Sequence, residues 1–203
     1  MHATALIFYL IFAVLGFGWR SWTQYRHTGS TGFRGIHGRP WSLQWFAGTG
    51  FIAAILAGAA APLLQLLDIL TPMAVLDAPW IQTTGIMLAV AGIAATVHAQ
   101  RDMGPSWRIG VDPSETTTLV RHGVFALVRN PIFTAMLIFA AGITLITPNP
   151  LALAAFAVLW ATIELQVRVV EEPYLNTIHG QAYRDYCGAV GRFVPYIGRR
   201  LTV

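Results

Sequence analysis

Four ionisable residues at the end of the last long apolar run are the first candidates for chemistry. Glu164, Arg168 and Glu172 recur at i, i+4 and i+8, with Glu171 beside the last of them, so a regular helix lays them along one face. A carboxylate as deep in an apolar run as Glu164 costs roughly 2 to 4 kcal/mol in lipid, so the stripe is expected to face a bundle interior. There the acids suit a cationic ligand, and Arg168 suits a carboxylate through a bidentate pair. The competing reading is a ladder that snorkels to the interface and stabilises only its own helix. A second group lies upstream, where Arg121 and Arg129 flank Gly123 and lead into Asn130 and Pro131. Gly123 permits a positive φ or the close approach of a ligand. Each arginine taken alone is an ordinary anchor for lipid phosphate, and Trp107 and Arg108 are assigned to the headgroup belt.

Other chemistries are excluded by spacing. The six histidines do not cluster at metal-ligand intervals, so no metal site is expected, and His122 and His179 are read as surface residues. Cys187 is the single cysteine; it supports neither a disulfide framework nor a thiolate metal site and is read as a small apolar filler. The Gly-x-Gly matches at Gly16–Gly18 and Gly48–Gly50 lie inside apolar runs rather than after a strand, so they are not a dinucleotide fingerprint.

These groups must be positioned by membrane helices. With 55% apolar residues and 11% charged ones, the chain has the composition of a polytopic membrane protein. All 13 basic residues are arginine; they fall in short loops between apolar runs, where they report topology rather than a nucleic-acid partner. Five runs of about the ~20 residues a bilayer requires are predicted at 3–19, 43–67, 80–99, 131–147 and 150–170. The first lacks a basic start and a small-residue cleavage site, and is expected to be an anchored helix rather than a signal peptide. Pro62 is placed to kink the second. Gly85 and Gly92 lie two turns apart on one face of the third, where a neighbouring helix can pack closely. Pro131 and Pro150 stand in the first turns of the fourth and fifth, joined by a turn so short that the two form an antiparallel hairpin. Loops 20–40 and 101–129 and the tail from 171 are Arg-rich, whereas loop 68–79 and the hairpin turn hold none. The positive-inside rule then gives an all-α bundle of five transmembrane helices with the N-terminus outside and the C-terminus cytoplasmic. Residues 1–99 supply three helices and a basic loop; residues 100–203 supply the polar segment, the hairpin of 131–170 and an amphipathic tail expected to lie against the headgroups.

The C-terminal two-fifths carries an ordered set of motifs: Leu119-Val120-x-x-Gly123-Val124-Phe125, Arg129-Asn130-Pro131-x-Phe133, Glu171-Glu172-x-x-Leu175, Gly180-x-x-Tyr183-x-x-Tyr186 and Val190-x-Arg192-Phe193-Val194-Pro195. Together they resemble the isoprenylcysteine carboxyl methyltransferases and the wider group that includes phospholipid N-methyltransferases. The resemblance implies an S-adenosylmethionine pocket at the cytoplasmic end of the bundle, with S-adenosylhomocysteine as product. By the same carry-over Thr117, Thr118, Leu119, Val120, Gly123 and Phe125 line the donor, Arg129, Asn130, Pro131, Ile132 and Phe133 form its wall at the start of the fourth helix, and Glu171 or Glu172 binds it. Arg168 then faces the methyl acceptor, with Glu164 beside it. The chain departs from the family pattern where Asn130 replaces the usual His before proline and where Phe125 and Phe133 replace Tyr.

The expected activity is therefore an integral membrane methyltransferase acting on a lipidic or small apolar acceptor, set in a bacterial inner membrane with its active site facing the cytoplasm and the bilayer as its partner. Methyl transfer from a sulfonium is an in-line displacement, for which alignment of donor and acceptor supplies much of the rate. A carboxylate acceptor is already ionised and needs no base; an amine or thiol acceptor points to Glu164 or Glu171 as the base. The alternatives are a phospholipid or small-thiol methyltransferase, a membrane reductase using a nicotinamide cofactor, and a non-catalytic helical bundle. Asn130-Pro131-Ile132-Phe133 lacks the His-Pro-Asn-Tyr type element of the reductases.

Overall fold

A computed structural model describes residues 1–33, 35–36, 38–108, 110 and 118–199. Thr117, assigned above to the donor pocket, lies outside the described residues. Every named element among those residues is helical. Helix α1 spans His2–Thr28, α2 Leu43–Leu66, α3 Pro79–Ser106 and α5 Pro150–His179, and these four are long and apolar enough to cross a membrane. Helix α4, Pro131–Ile146, has 16 residues and so spans about 24 Å, short of the ~30 Å hydrocarbon core. Helix α6, Gln181–Ala189, closes the set.

Small residues set the helix spacing. A Cβ on Gly92 would lie 2.6 Å from the Phe139 nitrogen, one on Gly85 2.7 Å from the Gly142 carbonyl, and one on Gly142 2.5 Å from the Ala89 nitrogen. The α3 and α4 backbones therefore touch along the face that the glycine spacing predicts, and Gly142 completes the seam from the other side. Across α2 and α5, Gly50 receives the Thr162 side chain at a distance that a Cβ would reduce to 2.5 Å. Phe12 stacks on Phe139 at 4.1 Å, Tyr9 meets the same ring edge-on at 5.6 Å, and the Tyr9 hydroxyl donates to the Ile55 carbonyl at 2.8 Å. At the far end of the hairpin the buried Asn149 caps α5 by accepting from the Ala152 N–H at 2.9 Å, while its amide donates to Gln65 Oε1 at 2.7 Å.

Three features differ from the expectations drawn from the sequence. Helix α1 does not end at Trp19: it continues through a π-wound turn, Ala13–Trp19, into Arg20–Thr28, so part of the expected basic loop is a polar helical extension. Helix α5 contains a second π-wound turn, Gln166–Glu171. The tail does not lie free on the headgroups. Tyr183, Tyr186 and Cys187 are buried together and Leu119, Leu175 and Val190 pack on them. Residues after α6 run beside the entry to α4, where the Arg129 N–H donates to the Gly191 carbonyl at 2.8 Å and the Asn130 N–H to the Arg192 carbonyl at 3.1 Å.

Candidate functional site

The C-terminal half of α1, the start of α2, the end of α3, the start of α4 and the end of α5 alternate so that all reach the Arg-rich end of the bundle. A cavity of about 410 Å³ opens there among them, within the size range of small-molecule sites. Thr118, Leu119, Val120, Phe125, Arg129, Asn130, Pro131, Ile132, Phe133 and Glu171 line it. Gly123, Glu164, Arg168 and Glu172 do not.

Each of these four has a local reason. Gly123 adopts φ +57° and a Cβ there would overlap the Asp102 carboxylate. That carboxylate accepts from the Val124 N–H at 2.9 Å. Gly123 therefore fixes the loop that feeds Leu119, Val120 and Phe125 into the wall. The other three are separated by the π-wound turn. Its extra residue per turn rotates the rest of α5 by about one position, roughly 100°, so the i, i+4, i+8 face expected from the sequence is broken between Arg168 and Glu172. Arg168 pairs with Glu164 at the surface, where their side chains are 55% and 28% exposed. Glu171 turns into the cavity with the Gln166 amide 3.5 Å from its Oε1. Glu172 turns into the protein.

Glu172, at 1% exposure, is an internal counter-ion. The Arg192 guanidinium donates to its two oxygens at 2.7 and 3.1 Å, and Arg129 lies 3.3 Å from Oε1. That hydrogen-bonded carboxylate holds the Arg192 guanidinium even further above its usual range. Arg129 also donates to Cys187 Sγ and to the Gly198 carbonyl, so the cation on the cavity wall is fixed from behind by α5, α6 and the tail. Burial raises both the Tyr183 and Tyr186 phenols above their usual range, keeping them neutral. The Tyr186 hydroxyl donates to the Phe125 carbonyl at 2.6 Å, and Asn130 Nδ2 to the Arg192 carbonyl at 3.1 Å.

The cavity has walls that sequence reasoning missed. Trp107, assigned above to the headgroup belt, is 3% exposed and lines the cavity with Arg108, whose guanidinium lies 5.2 Å from the Tyr174 ring centre. Phe12, Gly16 and Phe17 of α1 and Phe51, Ile52 and Ile55 of α2 form an apolar depth beyond the polar mouth. Gln100 is buried, lines the same space and donates to the Gly16 carbonyl at 2.7 Å, inserting into the ladder of the π-wound turn of α1. A buried amide at the end of a membrane run was a legible signal for Gln100. Nothing in the local sequence marked the α1 and α2 wall.

The arrangement joins the Glu171 carboxylate, arginine cations, neutral phenols and aromatic faces at the mouth to a hydrocarbon-lined interior. A family model described as phospholipid methyltransferase matches residues 80–182. Protein-S-isoprenylcysteine O-methyltransferase A of Arabidopsis thaliana is 30% identical over 145 residues, covering 68% of this chain and 74% of the relative. Protein-S-isoprenylcysteine O-methyltransferase of Tribolium castaneum is 27% identical over 121 residues, 58% of this chain but 43% of the relative, so the chain spans less than half of that protein. The solved structure of the eukaryotic intramembrane Ras methyltransferase, isoprenylcysteine carboxyl methyltransferase, shares the fold with a TM-score of 0.57 at 20% identity, over 95% of this chain and 62% of that one. Matched over half its length by the family model, and sharing with a plant relative an alignment that covers two-thirds of its own length, this integral membrane protein belongs to the isoprenylcysteine carboxyl methyltransferases within the phospholipid methyltransferase family.

Proposed function

We propose that this membrane methyltransferase draws its methyl group from S-adenosylmethionine and delivers it to the carboxylate of a lipid-modified cysteine. The observation that carries the reading is the continuity of the cavity: a polar mouth holding Glu171, Arg108, Arg129 and Asn130 opens directly onto an apolar interior lined by Phe12, Phe51, Ile55 and Met136. Such a space fits a donor that is cationic at its sulfonium and ammonium, anionic at its carboxylate, polar at its ribose and aromatic at its adenine. When bound, the donor supplies the activated methyl group. Glu171 is the carboxylate placed to hold the donor's ammonium, and Phe125 and Phe133 offer aromatic and apolar wall where the family usually has Tyr. Arg108 is the cavity cation on an outer wall, open to a carboxylate acceptor through a charge-assisted pair. Arg129, tied to Glu172, Cys187 and Gly198, keeps the α4 entry in place. Arg168 stays at the interface with Glu164 in this reading, and an ionised acceptor needs no general base. The contribution of the chain is alignment and exclusion of water.

In the membrane, the chain crosses five times with its N-terminus outside and its cavity at the cytoplasmic face. The reading is supported by Arg20, Arg26, Arg101, Arg108, Arg121, Arg129 and Arg184 at the cavity end and by the lack of any arginine in 68–79 and the hairpin turn at the other, as the positive-inside rule requires. Helix α4 completes its short crossing because Asn149 and Pro148 are held inside the protein, the Pro148 carbonyl accepting from the Met73 N–H at 2.7 Å.

Calorimetric binding of S-adenosylhomocysteine to detergent-purified protein tests the donor site. Binding is expected in the native chain and in Arg168→Ala, and lost in Glu171→Gln. Methylation of an S-prenylated N-acetylcysteine, run beside a phospholipid amine, tests the acceptor. A folded native chain that binds no S-adenosylhomocysteine overturns the donor reading, and preference for the phospholipid amine overturns the acceptor.

A further inference from the structure

The segment that closes α3 crosses the mouth of the cavity as a strap. Its short 3₁₀ turn, Gly104–Ser106, delivers Trp107 and Arg108 onto the cavity wall. On one side the strap is fastened to α5 by Arg108 over Tyr174. On the other it is fastened to the polar extension of α1. The Arg20 guanidinium lies 4.9 Å from the Trp107 ring centre and donates to the Gly104 carbonyl. The buried Gln24 donates to the Pro105 carbonyl at 2.8 Å. Gly32, at φ +76°, lies so close to the indole that a Cβ would stand 2.8 Å from it. Trp107 is thus boxed between α1 and the segment after it, although neither lies within the region that the family model matches.

We infer that Arg20 and Gln24 are positioning residues for the donor site: they latch the Gly104–Arg108 strap over the polar mouth, and release of that latch lets the donor and its product exchange. This rests on the donor reading of the cavity. The chemistry supports a latch instead of a permanent joint. On the α1 side two side-chain contacts to strap carbonyls and one cation–aromatic contact hold the segment, and on the α5 side a second cation–aromatic contact, Arg108 over Tyr174, does so. In the strap the Gly104 N–H closes the preceding helix on the Gln100 and Arg101 carbonyls, and a single-turn bond runs from the Trp107 N–H to the Gly104 carbonyl at 3.2 Å. Helix α1 reaches the strap only because its π-wound turn continues into Arg20–Thr28, the part that an apolar-run count ends too early.

The test pairs hydrogen exchange with ligand binding on the intact chain in detergent, comparing the native protein with Arg20→Gln, Gln24→Leu, Trp107→Leu and the double variant Arg20→Gln/Trp107→Leu. Exchange at Gly104–Arg108 is expected to quicken in Arg20→Gln and in Gln24→Leu while the α3–α4 seam is unchanged. S-adenosylhomocysteine affinity is expected to fall about tenfold, as loss of one partly desolvated cation–aromatic contact allows, chiefly through faster dissociation. Arg20→Gln added to Trp107→Leu is expected to cost less than the two single losses summed, because contacts that act through one element do not add; full additivity would assign Arg20 a role apart from the strap. Unchanged strap exchange in Arg20→Gln overturns the latch. Faster exchange with unchanged affinity overturns its link to the donor. Faster strap exchange in a native-like fold that binds no S-adenosylhomocysteine leaves the latch standing and removes the donor reading instead.

Discussion

In the proposed reading two adjacent glutamates divide structure from ligand chemistry, and replacing each by glutamine separates the roles. In Glu172→Gln the buried carboxylate is lost while Arg129 and Arg192, with side chains 2% and 10% exposed, keep their charges. Breaking a buried ion pair from one side costs about 3 to 5 kcal/mol, because the remaining charge is left without compensation. For a chain of this size each 1 kcal/mol moves the midpoint by about 2 to 4 °C, so the fall is roughly 6 to 20 °C. Arg192→Gln should cost less, since Arg129 still neutralises Glu172. Glu171→Gln removes a carboxylate that faces the cavity and has the Gln166 amide beside it, so its midpoint without ligand should move by less than about 1 kcal/mol equivalent while S-adenosylhomocysteine binding disappears. Thermal unfolding of detergent-purified protein, with and without S-adenosylhomocysteine, reads both quantities, because a ligand that binds only the folded state raises the midpoint. The reasoning is refuted if Glu172→Gln is thermally neutral and loses ligand stabilisation while Glu171→Gln retains it.

Other substitutions probe the scaffold. Arg168→Ala removes an exposed partner of Glu164 and is expected to change stability by less than about 1 kcal/mol and to leave methyl transfer within twofold or so, as initial rates will show. Gly92→Ala places a Cβ 2.6 Å from the backbone of α4, where no flexible side chain can move aside; a loss of about 1 to 3 kcal/mol or more is expected, read by thermal unfolding. Gly123→Ala combines a φ of +57° with overlap on Asp102; the left-handed conformation alone costs about 1 to 2 kcal/mol. Because this loop feeds the cavity wall, calorimetry should also show weaker S-adenosylhomocysteine binding.

The scaffold is more legible than the site. Apolar length, the prolines at 131 and 150 and the two-turn spacing of Gly85 and Gly92 all obey local rules, and the helix starts at 131 and 150 and the α3–α4 seam appear where those rules put them. The candidate wall from Thr118 to Phe133 is reached through ordered motifs, because spacing alone does not tell a ligand wall from an interfacial loop. The failures have a common origin in helix winding. A 3.6-residue period places Glu172 with Glu164 and Arg168, and only the π-wound turn at Gln166–Glu171 sends it inward. Likewise, an apolar window ends α1 at Trp19 because hydropathy cannot see a helix continue as its residues turn polar. Trp107 has the look of a membrane-belt residue because composition does not report that Arg20 and Gly32, over seventy positions earlier, enclose it. The tail misleads for the converse reason: its amphipathic pattern is satisfied by Leu119 and Leu175 rather than by lipid.

The buried triad is complete only once the end of the chain has been made. Arg129 emerges from the ribosome well before any group that neutralises or caps it, since Glu172, Cys187 and Gly198 all come later in the chain. Helices α1 to α4 can therefore be threaded into the bilayer while the cavity wall is still electrically unfinished. A chain halted before Arg192 would lack the pairing that draws the α4 entry and the tail together. In biogenesis, the wall around Arg129 is thus completed only after Glu172, Cys187 and Gly198 have been made.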